Sequence, residues 1–88
     1  MPTYYFHLIS EGRQVEDPVG FELDSLDEAI ENADLSICEI AGNTLKGGGE
    51  VQLEAIIIAD DTGHELARVT TESVLLLRFT ALAKFRGN

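Results

Sequence analysis

Apolar positions along the chain recur with two different periods, and the change from one to the other lays out the elements. From Thr3 to Ser10 the run TYYFHLIS is dense in aromatic and β-branched residues, the composition of a strand. Alternation puts Tyr4, Phe6 and Leu8 on one face and Tyr5, His7 and Ile9 on the other. Glu11-Gly12 reads as a tight turn, and Arg13 to Glu16 begins a return strand. Asp17-Pro18-Val19-Gly20 interrupts it, because Pro18 has no N–H for a ladder and Gly20 admits a left-handed or bulged backbone. Phe21-Glu22-Leu23 leads into a helix cap.

The period changes at Ser25. Stepping about 100° per residue through SLDEAIENADLSICEIAGNTLK places Leu26, Ala29, Ile30, Ala33, Ile37, Ile40, Ala41 and Thr44 on one face. Asp27, Glu28, Glu31, Asn32, Glu39 and Asn43 lie toward the other. Ser25 and Glu28 have the spacing of a capping box. Lys46 puts a cation near the helix C-terminus, and Gly47 after it is able to turn left-handed. The pattern predicts one helix from Ser25 to about Lys46, with Leu26, Ile30, Ala33, Ile37 and Ile40 buried and Leu35 opposite the core face.

Gly47-Gly48-Gly49 is a flexible link, too short to separate domains. In EVQLEAIIIAD, Glu50 to Asp60, the period returns to two. Val51, Leu53, Ala55, Ile57 and Ala59 form one face; Gln52, Glu54, Ile56, Ile58 and Asp60 form the other. Asp60-Asp61-Thr62-Gly63 predicts a type I turn with Gly63 left-handed, and Glu65 to Thr71 is the partner strand. Ser73 to Phe85 is apolar by either period, so strand and helix both fit. The helix formers Ala81 to Lys84 and the lack of a turn signal favour helix.

These elements give a single α+β domain over residues 1–88, ββαββ(α), with a four-stranded antiparallel sheet in the order 2-1-3-4. The crossover is right-handed. The long helix covers one face, and a C-terminal helix completes the chain. The second sheet face is expected to carry Tyr5, His7, Ile9, Ile56 and Ile58, too apolar to face water. The C-terminal segment or another subunit is expected to cover it.

Composition narrows the classes of function. Eighty-eight residues, 44% of them hydrophobic, suit one modest globular core. A single cysteine, Cys38, allows no internal disulfide and fits a reducing compartment. The opening MPTYYFHLIS lacks the basic start of a secretory leader, and no apolar run reaches the roughly 18 residues of a membrane helix. The expectation is a cytoplasmic protein. Its net charge is −10, unevenly spread. Residues 1–67 hold 15 acids against Arg13 and Lys46, or −13; residues 68–88 hold Arg68, Arg78, Lys84 and Arg86 against Glu72, or +3. An acidic body disfavours nucleic acid, whose binding rests on neutralised phosphates.

The opening Met1-Pro2-x-Tyr4-Tyr5-Phe6-His7, with Glu11-Gly12, Asp17, Gly20, Glu22-Leu23 and the Leu26/Ala29/Ala33 spacing, resembles a family of short alphaproteobacterial proteins. Those begin Met-Pro-x-Tyr-Phe-Phe-His and form a domain of unknown function. The resemblance covers roughly residues 1–72 and is most specific in the first 30 or so. It implies a small α+β fold in the bacterial cytoplasm and brings no catalytic or binding residues.

Candidate chemistry is sparse. Asp61-Thr62-Gly63 after an apolar run has the local form of an aspartic protease loop, which needs two such loops. His64 stands where Ala or Ser usually follows, and an acidic hairpin turn accounts for the same residues. Asp60, Asp61, His64 and Glu65 have the ligand types of a divalent metal site but sit on one tight turn. His7 is a candidate general base or a histidine that fills a sheet face. Cys38, at the edge of the helix's apolar face, reads as a small core residue. No cofactor, metal or small-molecule ligand is expected. Val74, Leu75, Leu76, Leu77, Phe79, Leu82 and Phe85 ring almost the whole circumference of the C-terminal helix, and such a helix needs burial on several sides. With Leu35, the residues Leu75, Leu76, Leu77, Phe79, Leu82 and Phe85 are the candidate interface of a homodimer or protein complex. Two classes of function stand: a non-enzymatic interaction module, favoured by that apolar surface, and a small hydrolase-like or metal-dependent enzyme using the Asp61/His64 turn or His7.

Overall fold

The computed structural model describes residues 1–86, with side chains through Arg78. The order is β1 (Thr3–Ser10), β2 (Arg13–Val15), β3 (Phe21–Glu22), α1 (Leu26–Lys46), β4 (Leu53–Ala59), β5 (Glu65–Thr70) and α2 (Thr71–Arg86). All pairing is antiparallel, in the order β2-β1-β4-β5. The two strands richest in large apolar residues, β1 and β4, are central.

The sheet has five strands, not four, because β3 adds to it. β3 pairs with β1 through Thr3↔Glu22 and Tyr4↔Phe21, on the edge where β2 pairs through Leu8↔Val15 and Ser10↔Arg13. Asp17-Pro18-Val19-Gly20 thus splits one return strand into two short pieces that rejoin β1 on either side of the gap.

Ser25 caps α1 as its spacing implies: it has an extended backbone, and its Oγ accepts from the Glu28 N–H at 3.2 Å. At the other end the left-handed residue is Gly48 (φ 80°), one position beyond Gly47, whose φ is −80°. Ala29, Ala33, Ile37 and Ala41 are the buried residues of α1, and Leu26 and Ile30 pack partly buried beside them. Ile40, expected in the core, is 37% exposed. The small residues Ala29, Ala33 and Ala41 sit at the centre of the contact stripe, where a helix approaches a sheet most closely, and Ile40 falls at its margin.

Under α1 lie Tyr4, Ile56 and Ile58, with Phe6, Leu8, Ala67 and Val69 partly buried around them. Register explains this set: Phe6 pairs with Ile58 and Ala67 follows on β5, while Leu8 pairs with Ile56 and then Val69. Ile56 and Ile58 therefore face the helix, which corrects their expected place on the second face. That face carries Tyr5, His7 and Ile9 from β1, and Ala55, Ile57 and Ala59 from β4. Its β4 residues are one isoleucine and two alanines in place of two isoleucines. Ala55, Ile57 and Ala59 are buried even so, since their cross-strand neighbours include Tyr5, His7, Glu65 and Arg68.

α2 follows β5 directly, and the Thr70 Oγ1 caps it by accepting from the Ser73 N–H at 3.2 Å. Val74 is buried in the core, and one turn later Arg78 donates to Asp34 of α1 at 3.0 Å. α2 therefore roots beside α1, and its Leu75 and Leu76 border the second face at Ile9 and Ala55.

Candidate functional site

β1 is anchored across the gap between β2 and β3 by one side chain. There the Phe6 N–H has no backbone partner and donates to the Asp17 Oδ2 at 3.2 Å. The other oxygen, Oδ1, accepts from the Val19 N–H at 3.0 Å and the Gly20 N–H at 3.1 Å. The Asp17 N–H in turn donates to the His7 Nδ1 at 3.0 Å. Partial burial raises the Asp17 pKa, but the N–H groups of Gly20, Val19 and Phe6, with His7 a smaller influence, outweigh it, and the net direction is down from 3.8. Gly20 closes the loop with φ 79°, and a Cβ there would lie 2.6 Å from the Thr3 Cγ2 and 2.9 Å from the Tyr5 ring.

That bond fixes the imidazole. With Nδ1 accepting, the neutral ring carries its proton on Nε2. Tyr5 stacks with it along the strand, ring centroids 6.5 Å apart and planes 19° from parallel. Both line a depression of about 320 Å³ with Ile57, Asp60, Asp61 and Glu65. Of the candidates His7, Asp60, Asp61 and His64, the depression gathers the first three; His64 is not among the residues that line it.

The chemistry of this depression is limited by what its groups already do. The Asp60 Oδ1 accepts from the Thr62 N–H at 2.9 Å, the Thr62 hydroxyl at 2.6 Å and the His64 N–H at 3.0 Å. The Thr62 hydroxyl first, then the backbone groups, hold its pKa below 3.8. Asp60, not Asp61, therefore organises the turn, and Gly63 takes the left-handed backbone at φ 88°. His7 would act as a general base through Nε2 only with a proton moved onto Nδ1, which breaks the Asp17 bond. Cys38 lies on α1, across the sheet from His7, with its Sγ 3.7 Å from the Asp34 Oδ1. Among the described residues no group of three or more His, Cys, Asp or Glu is arranged to hold a metal ion.

The second candidate surface is apolar. Leu35, Leu45, Leu76 and Leu77 are 54, 61, 63 and 66% exposed. Leu35, Cys38, Leu45 and Leu75 line a groove of about 380 Å³ between α1 and α2, with Arg78 at its border. Leu76 lines a different crevice of about 820 Å³ at the root of α2, with Ile9, Leu53 and Ala55. Thr71 borders that crevice too, and its hydroxyl is buried without a hydrogen-bond partner among the described residues. Of the interface candidates, Leu35, Leu75, Leu76 and Leu77 are thus placed, while the side chains of Phe79, Leu82 and Phe85 lie outside the described residues. Leu45 was missed. Its signal is the 3-4-3 spacing of Leu35, Cys38, Gly42 and Leu45, a second helical stripe beside the core stripe.

Among the described residues no helix is long and apolar enough to cross a membrane. One family model, a domain of unknown function (DUF6894), matches residues 3–72, the stretch holding all five strands and α1. No curated protein and no solved structure matches the chain.

Proposed function

The chain belongs to the DUF6894 family, and from that premise we propose that it is a small non-enzymatic interaction module of the cytoplasm that self-associates through α2. The observation that carries this is the exposure of Leu35, Leu45, Leu76 and Leu77 on neighbouring helices. Burying one such side chain is worth about 1.5–3 kcal/mol. Two of them on α1 and two on α2, helices that touch each other, give a second copy apolar surface to bury. A two-fold dimer is the commonest way to use such a patch, since one surface serves both subunits.

Sedimentation and light scattering at micromolar concentration test it. The expected result is a dimer that Leu76→Glu or Leu77→Glu converts to a folded monomer. A wild-type monomer at high concentration, with both substitutions harmless to solubility and stability, would remove the reading.

The enzymatic reading has one observation in its favour, the meeting of His7 and Asp61 in one depression. It requires that depression to bind a divalent cation or a water for hydrolysis. Calorimetric titration with zinc or magnesium decides it: stoichiometric binding lost in both His7→Ala and Asp61→Asn would make the module an enzyme candidate again.

A further inference from the structure

His7 meets two demands that conflict in acid. Its Nδ1 accepts from the Asp17 N–H at 3.0 Å, so the loop of residues 17–20 closes on a neutral ring. An imidazole takes up a proton between about pH 8 and pH 5, and both of its nitrogens are then donors. Two N–H groups cannot share that contact. The charges around the ring act in the other direction. Glu16, Asp60, Asp61 and Glu65 line the depression with it, and the Asp17 carboxylate lies close enough to sense its charge. Arg68, across Ile57 on β5, is paired with Glu65. The carboxylates attract an imidazolium, and the Asp17 N–H repels it. The loop also covers part of β1. The Phe6 N–H donates to Asp17, and Gly20 packs so near Tyr5 that a Cβ would lie 2.9 Å from its ring.

We propose that His7 and Asp17 form a proton-operated latch on the β1 edge. With the ring neutral, Nδ1 accepts from the Asp17 N–H and holds the loop down. With the ring protonated, the Nδ1–H turns to the Asp17 carboxylate and takes the oxygen that the Phe6 N–H holds. The loop then lifts from β1, which frees the Phe6 N–H and uncovers the Tyr5 ring beside the acidic depression. Each state has a hydrogen bond for Nδ1, so the proton selects between two arrangements rather than unfolding the domain. The latch acts within one chain and does not rest on self-association.

Nuclear magnetic resonance and amide hydrogen exchange between about pH 8 and pH 5 test it. In wild type the exchange of the Phe6, Asp17, Val19 and Gly20 amides, corrected for its intrinsic pH dependence, should quicken at least about tenfold as the His7 ring titrates. The amides of α1 should not change. His7→Asn keeps an acceptor in the Nδ1 position and takes up no proton, so its loop should stay closed throughout. His64→Ala should open as wild type does. Three results would overturn the proposal: a His7 ring still neutral at the acid end of the range, loop exchange unchanged while the ring titrates, or the same opening in His7→Asn. The first two need only the wild-type protein, and all three leave the self-association reading as it stands.

Discussion

Two loops in this molecule are built around an aspartate that accepts three hydrogen bonds, and they do different things. The Asp60 carboxylate accepts from Thr62 and His64, within its own turn. Asp17 accepts from Val19 and Gly20 in its own loop and also from Phe6, eleven residues away on β1. The first carboxylate shapes a solvated hairpin end. The second stands in for a missing strand residue and ties a loop to a central strand. Similar local chemistry thus carries different energetic weight, set by whether a bond closes a short loop or joins distant segments.

The contrast is broken or sharpened by a graded set of substitutions, each read by urea or thermal unfolding. Asp17→Ala should have the largest effect, about 2–3 kcal/mol, since it strands the partly buried Phe6 N–H and removes bonds to a charged group, discounted for its contact with water. Asp17→Asn should fall between that variant and wild type. Gly20→Ala should cost about 2 kcal/mol, because a side chain at φ 79° is strained and its Cβ meets the Tyr5 ring. Asp60→Ala should cost less than either. Asp61→Asn and His64→Ala should leave stability unchanged. If Asp60→Ala were as damaging as Asp17→Ala, the distinction between the two loops would fail.

Acid supplies an independent measure. The Asp17 pKa is lowered on folding from 3.8. The unfolded chain therefore takes up its proton first, and the contribution of Asp17, complete above the unfolded value, is lost as pH falls through the folded one. Between about pH 5 and pH 2 the stability of wild type should fall more steeply than that of Asp17→Asn. Parallel curves would show that the carboxylate contributes nothing through its charge.

The same contrast explains what was legible in the sequence. α1 and β1 were readable to within a residue, because a long run with one period has few competing interpretations. The direction of β4's faces was not, because Ile56, Ile57 and Ile58 are consecutive and alternation cannot rank three isoleucines. β3 was too short, at two residues, to show any period. Asp60 to His64 was visible as a turn, since all its bonds are local, although nothing in its spacing separates Asp60, which organises the turn, from its neighbour Asp61. Asp17 was read as part of an interruption and of the family pattern, not as an anchor for β1. Its partners Phe6 and His7 lie ten or eleven positions away, and no spacing rule announces a side chain that completes a ladder.

The split edge has a consequence for the fate of the protein at high concentration. A long unpaired strand is a template on which another chain can crystallise into a fibril, and natural sheets blunt such edges. On this side the edge consists of pieces of three and two residues, with a proline and a carboxylate between them. No stranger's strand can run along it for more than a few bonds. The opposite edge, β5, has six residues in one piece, with a register shift beside Leu66 and no proline. When this domain aggregates, growth should begin at β5, and a proline placed in the outer edge of that strand should slow it more than any change in the Asp17 loop.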